Sequence, residues 1–206
     1  MTTRLTIVLF YLLQACLASC GASEERTHSI FPREARLRTG DVVMRRGLGF
    51  ASHAVTFADR GGAYSHIGIV AWEDGEWMVV HAVPGEPDFP GDEDRVKMET
   101  LDAYFRSDRA GEGCVLRCVD SMAAARAARE AVNVYRRGTL FDHDYDDADT
   151  TRMYCCELVE HAYRKAGLSL VGKGTHDISM PGLWLRHVVL PSDFLSAPRL
   201  RRVIAF

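Results

Sequence analysis

The chain has 206 residues, of which 47% are hydrophobic and 26% charged, with a formal net charge of -3. That length and balance suit one globular domain with a full core, and nothing in them points to a nucleic-acid partner. No internal repeat is visible.

Arg4 precedes an apolar run over residues 5–17 broken only by Gln14, and small residues follow before Glu24, Glu25 and Arg26. This is the pattern of a secretory signal, too short to span a bilayer as a helix. Its end, Leu17-Ala18-Ser19-Cys20-Gly21, resembles the bacterial lipoprotein signal. The resemblance implies cleavage before Cys20 and lipidation of its sulfur, so membrane attachment is through a lipid anchor. Residues 1–19 are then a signal peptide, 20–36 a lipidated N-terminus and tether, and 37–206 the folded domain. Gly21 is not the Asp of inner-membrane retention, which implies the periplasmic face of the outer membrane in a bacterial envelope. Cys16 leaves with the signal, so Cys114, Cys118, Cys155 and Cys156 remain in an oxidising compartment. Cys114 and Cys118 sit on one predicted strand, too far apart along it for a direct bridge, and no disulfide framework is expected.

In the domain, Thr39-Gly40-Asp41 reads as a turn into a strand, residues 46–50 as a loop and 51–58 as a short helix. Glycine spacing around Gly47 and Gly49 does not make a phosphate-binding loop. Residues 64–72 and 77–83 are apolar strands flanking Glu73-Asp74-Gly75-Glu76, a hairpin signal. With Asp74 and Gly75 as the turn, Trp72 faces Trp77, Val70 faces Val79, Gly68 faces His81 and His66 faces Val83. His66 and His81 then emerge on one face as a diagonal pair roughly 7–8 Å apart at the backbone, with Gly68 leaving room for a ring. A loop over 84–94, a strand at 96–99, a short helix at 101–105 and a strand at 113–120 follow. Ser121 is expected to cap a helix through about Arg137, with Met122, Ala125, Ala128 or Arg129, and Val132 in its apolar stripe.

The acidic run from Phe141 to Asp149 begins like a calcium loop, but Asp147 stands where such a loop needs Gly and Met153 where it needs Glu. His143 lacks partners at zinc spacing. No metal or cofactor is therefore assigned, and the aspartates are expected to cap and solvate.

The run Met153-Tyr154-Cys155-Cys156-Glu157-Leu158-Val159 leads from that loop into an amphipathic helix. Cys155, Leu158, Val159, Ala162 and Ala166 share one face, and Glu157, Glu160, His161, Arg164 and Lys165 lie mostly on the other. Cys155 thus sits at a helix N-terminus, where unpaired N–H groups and the macrodipole favour a thiolate and can cradle an oxyanion. Residues 169–180 are expected to be irregular, 184–190 a strand, Pro191-Ser192-Asp193-Phe194 a turn or short helix, and 200–206 a final strand.

A hydrolytic cysteine needs a base, a polar group that orients the base, and N–H donors for the oxyanion. The segments Gly40-Asp41-Val42-Val43, Tyr64-Ser65-His66-Ile67-Gly68-Ile69-Val70, Val80-His81-Ala82-Val83, Phe141-Asp142, Tyr154-Cys155-Cys156-Glu157-Leu158-Val159 and Pro191-Ser192-Asp193-Phe194 together resemble the YaeF/YiiX-like permuted papain-like amidases. These are relatives of the NlpC-type cell-wall peptidases in which the histidine strand precedes the cysteine helix. The resemblance covers about residues 38–203. It implies an α+β, circularly permuted papain-like fold, with an antiparallel sheet packed on the cysteine helix and that helix against the face carrying His66 and His81. It also implies Cys155 as nucleophile, His66 as base and His81 as orienting group. Two positions depart from the family pattern: Cys156 replaces the usual small serine, and His81 replaces a frequent Glu. Tyr64 and Tyr154 are candidates to line the site, Tyr154 as an oxyanion donor.

The function implied is a cysteine amidase or peptidase of the envelope acting through a Cys155 acyl-enzyme, with peptidoglycan stem peptides as substrate. An acyltransferase or lipid-amide hydrolase on the same fold, or a non-catalytic lipid-anchored binding module, are the alternatives. A greasy pocket beside Cys155 favours acyl chemistry, and oxidation of Cys155 with Cys156 the binding module.

Overall fold

Asp74 and Gly75, at φ +51° and +86°, close the tight turn on which the sheet is built; these left-handed conformations match the right-handed twist of the strands they join. In this computed structural model, residues 27–145, 149, 151–174, 176–180 and 183–206 are described, side chains 180 and 183 excepted. The signal, Cys16, Cys20, Asp146 and Asp147 lie outside the described residues. The elements run β1 (Val42–Gly47), α1 (Phe50–Ala58), β2 (His66–Glu73), β3 (Glu76–Val83), β4 (Arg95–Thr100), α2 (Leu101–Tyr104) and β5 (Ala110–Cys118). They continue α3 (Ser121–Arg136), β6 (Leu140–Phe141), β7 (Arg152–Met153), α4 (Cys155–Lys165), β8 (His176–Met180), β9 (Leu183–Val188), α5 (Pro191–Leu195) and β10 (Leu200–Ala205).

Eight strands form one sheet in the order β10-β5-β1-β2-β3-β4-β6-β7, antiparallel except for the short β6–β7 pair. In the hairpin, Trp72 pairs with Trp77, Val70 with Val79 and Gly68 with His81, as the turn dictates. The pairing ends there: the expected His66–Val83 pair does not form, and beyond His81 the β3 backbone pairs only with β4.

Side chains alternating across the sheet divide the interior in two. Ile67, Ile69, Val80 and Ala82 pack with Leu158, Val159 and Ala162 of α4 and the alanines of α3. On the other face, Val43, Val70, Val79 and Val115 pack with Tyr104 and Phe105. His66 and His81 belong to this second face, their rings 5.7 and 5.1 Å from that of Tyr104. The cysteine helix therefore covers the face opposite the histidines, not the face that carries them.

Three local expectations change for local reasons. Asp120, not Ser121, caps α3, its carboxylate accepting from the N–H groups of Met122 and Ala123; the face that packs on the sheet and α4 carries Ala123, Ala124, Ala127, Ala128, Ala131 and Val132 and leaves Met122 exposed. Glu160 is buried rather than solvated, because its carboxylate accepts from Ser169 and from the Leu170 and Val171 N–H groups and ties the following loop to α4. The end of the stretch expected to be irregular pairs as β8 with β9. At the far side of the sheet Arg117 forks onto both oxygens of Asp41 at 2.8 and 2.6 Å, and both residues are buried.

Candidate active site

Tyr154 caps α4 without a side-chain hydrogen bond. Cys155, the first residue of the helix, lies near enough to His66 and to the Ile67 N–H for both to act on its sulfur. The sulfur meets the β2 backbone where β2 and β3 are no longer paired, and through that opening it reaches an imidazole on the other face.

Nε2 of His66 lies 2.8 Å from Nδ1 of His81, which leaves Nδ1 of His66 for the sulfur. Nε2 of His81 is 3.1 Å from Glu99 Oε1, off the line of a straight hydrogen bond. Only one set of tautomers runs through all these contacts when His66 takes the thiol proton. His66 donates from Nε2, His81 accepts at Nδ1, and His81 carries its own proton on Nε2 toward Glu99. Glu99 is supported in turn: Arg109 bridges Glu99 at 3.2 Å and Glu86 at 3.1 Å, and Glu86 pairs at 2.5 Å with Arg45. The Arg45 guanidinium sits 4.7 Å over the Tyr104 ring and donates to the Tyr104 carbonyl.

The electrostatics follow from burial and donors. The adjacent Cys156 thiol is the largest influence holding the Cys155 thiol well below the usual range; burial opposes it, and His66 and the Ile67 N–H add to it. Burial pulls His66 down to about 4, with the Cys155 sulfur acting the other way and the Arg45 charge reinforcing the fall. His81 is also lowered by burial, against the pull of Glu99. Cys156 is pushed up by burial and by the neighbouring sulfur. All four described cysteines are free thiols.

A cavity of about 530 Å³ opens beside Cys155 and His66, within the ordinary size of a small-molecule site. Its walls include Val55, Phe141, Tyr154, Ile178, Leu185 and Val188, while Arg45, Glu86 and Arg109 line one part of it with charge. Tyr154 lines it, with its hydroxyl accepting from the Val189 N–H at 3.0 Å. Tyr64 does not: it is buried in the core against Cys114. Of the residues picked out in the sequence, Cys155, His66 and His81 come together, Tyr154 joins them as a wall, and Tyr64 stands apart. Glu99, Arg45 and Arg109 were not foreseen, although Glu99 shares with His81 the alternation of adjacent strands: β4 pairs Lys97 with His81, placing Glu99 on the diagonal.

A histidine strand that precedes a cysteine helix, with the two layered on an antiparallel sheet, defines a papain-like fold in permuted order. The chain belongs to the permuted papain-like amidase enzyme family, YaeF/YiiX, C92, whose sequence model matches residues 36–204. That membership places it among cysteine-type hydrolases. The crystal structure of YiiX from Escherichia coli O157:H7, described as a metalloprotein, resembles it with a TM-score of 0.66 at 22% identity, over 82% of this chain and 98% of that one. At this identity the likeness speaks for the fold. No curated protein matches the sequence. Among the described residues, no group of three or more His, Cys, Asp and Glu side chains could hold a metal ion, so no step is assigned to one.

Proposed function

We propose that the chain is a cysteine amidase whose acyl group is aliphatic. The observation that carries this reading is the position of Cys155: at an uncapped helix start, in contact with His66, and at the end of an apolar cavity. His66 takes the Cys155 thiol proton as the sulfur attacks the amide carbonyl, and the carbonyl oxygen takes the negative charge against the positive end of α4. His66 passes its proton to the leaving nitrogen, the carbon–nitrogen bond breaks, and a thioester remains on Cys155. Water then gives a proton to His66 and adds to the thioester, releasing the acid and restoring the thiol. His81 and Glu99 fix the tautomer of His66 and stabilise its imidazolium through both halves of the cycle.

The cavity walls move the substrate preference away from peptidoglycan stem peptides, which carry charge and amide groups such walls would leave without partners. A hydrocarbon chain in the cavity, with a polar amine leaving toward Arg45, Glu86 and Arg109, uses both linings. An acyltransferase would differ only in the nucleophile that resolves the thioester. Envelope placement, through lipid on Cys20, is part of the same proposal and rests on the sequence of residues 17–21. Incubation with long-chain N-acyl amides and, separately, with muropeptides, followed by intact-mass measurement, tests it. An acyl adduct on Cys155 that is absent in His66→Ala is the expected result; an adduct from muropeptides alone, or none from either, overturns it.

A further inference from the structure

Helix α1, Phe-Ala-Ser-His-Ala-Val-Thr-Phe-Ala over residues 50–58, contains no Asp, Glu, Lys or Arg. Its Phe50 is 89% exposed and Phe57 74%, and Leu48 just before it is 50% exposed. Residues seven apart on a helix lie about 20° from one another around its axis, so the two phenylalanines form a single stripe facing water. Phe50 and Leu48 also stand at the mouth of the cavity, and Ala54, Val55 and Ala58 on the inner side of the same helix line it. One uncharged helix thus presents an apolar inner face to the candidate acyl site and an apolar outer face to solvent, with Arg46 before it and exposed Arg60 after it.

The course of the chain indicates what covers this face. The described chain begins beside the same cavity: the His28 N–H donates to Ser107 Oγ, the Ser107 N–H donates to the His28 carbonyl, and the next residues, Asp108 and Arg109, line it. Cys20, the site expected to carry lipid, is eight residues from His28. Fully extended, that stretch reaches at most about 29 Å. A lipid-anchored domain on so short a leash holds its cavity mouth close to the bilayer, and the arginines flanking α1 suit the anionic headgroups of that surface.

We propose that α1 and Leu48 dock on the phospholipid bilayer, with Phe50 and Phe57 in the headgroup–acyl boundary, so that an acyl chain passes from membrane to cavity without crossing water. The inference deepens the acyl-amide reading of the same site and rests on it. The test uses the full chain, purified from membranes and reconstituted in vesicles of phosphatidylethanolamine and phosphatidylglycerol carrying bromine on their acyl chains. Phe57→Trp should lose emission relative to the wild-type background of Trp72, Trp77 and Trp184, whereas Val119→Trp should match wild type. Val119 is exposed just past the end of β5 remote from the cavity, roughly 30 Å along the strand from Ala110. Equal quenching in both variants, or in neither, overturns docking. So does emission from Phe57→Trp that is shifted to the blue but indifferent to bromine, which would mean that another part of this chain covers the helix. In a second arm, Phe57→Asp should slow turnover of a long-chain N-acyl amide held in vesicles by about tenfold or more, the factor one buried phenylalanine supplies. Hydrolysis of a water-soluble short-chain amide should be unchanged. Quenching in Phe57→Trp with no hydrolysis by any variant supports docking while removing the amidase reading, so the two fail separately.

Discussion

Gly68 and His81 stand opposite one another across β2 and β3, and the missing side chain of the glycine is what admits the histidine pair. A Cβ on Gly68 would lie 2.6 Å from Val79 Cγ1 and 3.1 Å from the Cβ of His81. Gly68→Ala is therefore expected to push His81 off His66 and to lower kcat/KM by more than tenfold, at a stability cost of about 1–3 kcal/mol. Removing the nearer obstacle in the double variant Gly68→Ala/Val79→Ala should restore part of the activity. Kinetics and thermal melts of the three proteins check this; an unimpaired Gly68→Ala would show that the His66–His81 contact is dispensable.

The reactivity of Cys155 should persist well into acid. Its thiol is held well below the ordinary value of about 8.5, by the neighbouring Cys156 first and by His66 and the Ile67 N–H after it, so the sulfur is already ionised below that pH. Iodoacetamide labelling rates at Cys155 should stay level from alkaline pH to well below the ordinary thiol value before they drop. A limb near about pH 8.5 would contradict the arrangement. His66→Ala should cost roughly 10²–10⁴-fold in amide turnover.

Cys156 is the donor with the largest effect on the Cys155 sulfur, and its substitutions separate donor from packing. Cys156→Ser keeps a hydrogen-bond donor and should preserve the acid-side labelling profile, whereas Cys156→Ala should move the limb upward. Identical profiles for the two variants would show that the neighbouring thiol merely fills space.

Glu99 acts on the chemistry through His81 and should be seen in kcat rather than KM. Glu99→Gln keeps an acceptor but removes the charge that favours a protonated relay. Loss of a hydrogen bond to a charged group is worth about 1.5–3 kcal/mol, so kcat should fall roughly ten- to a hundredfold, with the pH profile displaced and KM held. Restoration by Glu99→Asp supports the charge; a proportional rise in KM instead would assign Glu99 to substrate binding.

Arg117 and Asp41 make a prediction about stability alone. Each is buried and the pair is joined by two hydrogen bonds, with Asp41 also holding the Arg38 N–H. Arg117→Met strands a buried carboxylate and should cost about 3–5 kcal/mol in denaturant unfolding, while the double change with Asp41→Asn should recover much of it. Labelling at Cys155 in the folded fraction should be untouched.

What the sequence made legible follows the range of the interactions involved. Asp74-Gly75 sets the register of β2 on β3 by itself, so Gly68 opposite His81 and the shared side of His66 and His81 could be counted from the turn. Cys155 could be placed at a helix start because apolar periodicity and the preceding acidic loop are both local. Glu99 could not, because residues 84–94 join β3 to β4 without a turn signal that fixes register, and its diagonal to His81 exists only once that register is known. The covered face of the sheet was misassigned for a related reason: periodicity tells which residues of a strand share a side, not which side a distant helix takes. Glu160 shows the limit of the helical wheel, since a carboxylate becomes a core residue when three donors from the next loop converge on it.

The parting of β2 from β3 makes the sheet a partition with a doorway, the helix that carries Cys155 on one side and the His66 imidazole on the other. Neither layer alone holds a competent pair. Partial unfolding that loosens either the α4 layer or the Tyr104 layer would part sulfur from imidazole before the strands themselves separate, so turnover in a denaturant series should vanish ahead of the sheet's circular-dichroism signal. The meeting of Cys155 with His66 thus depends on both layers being closed at once.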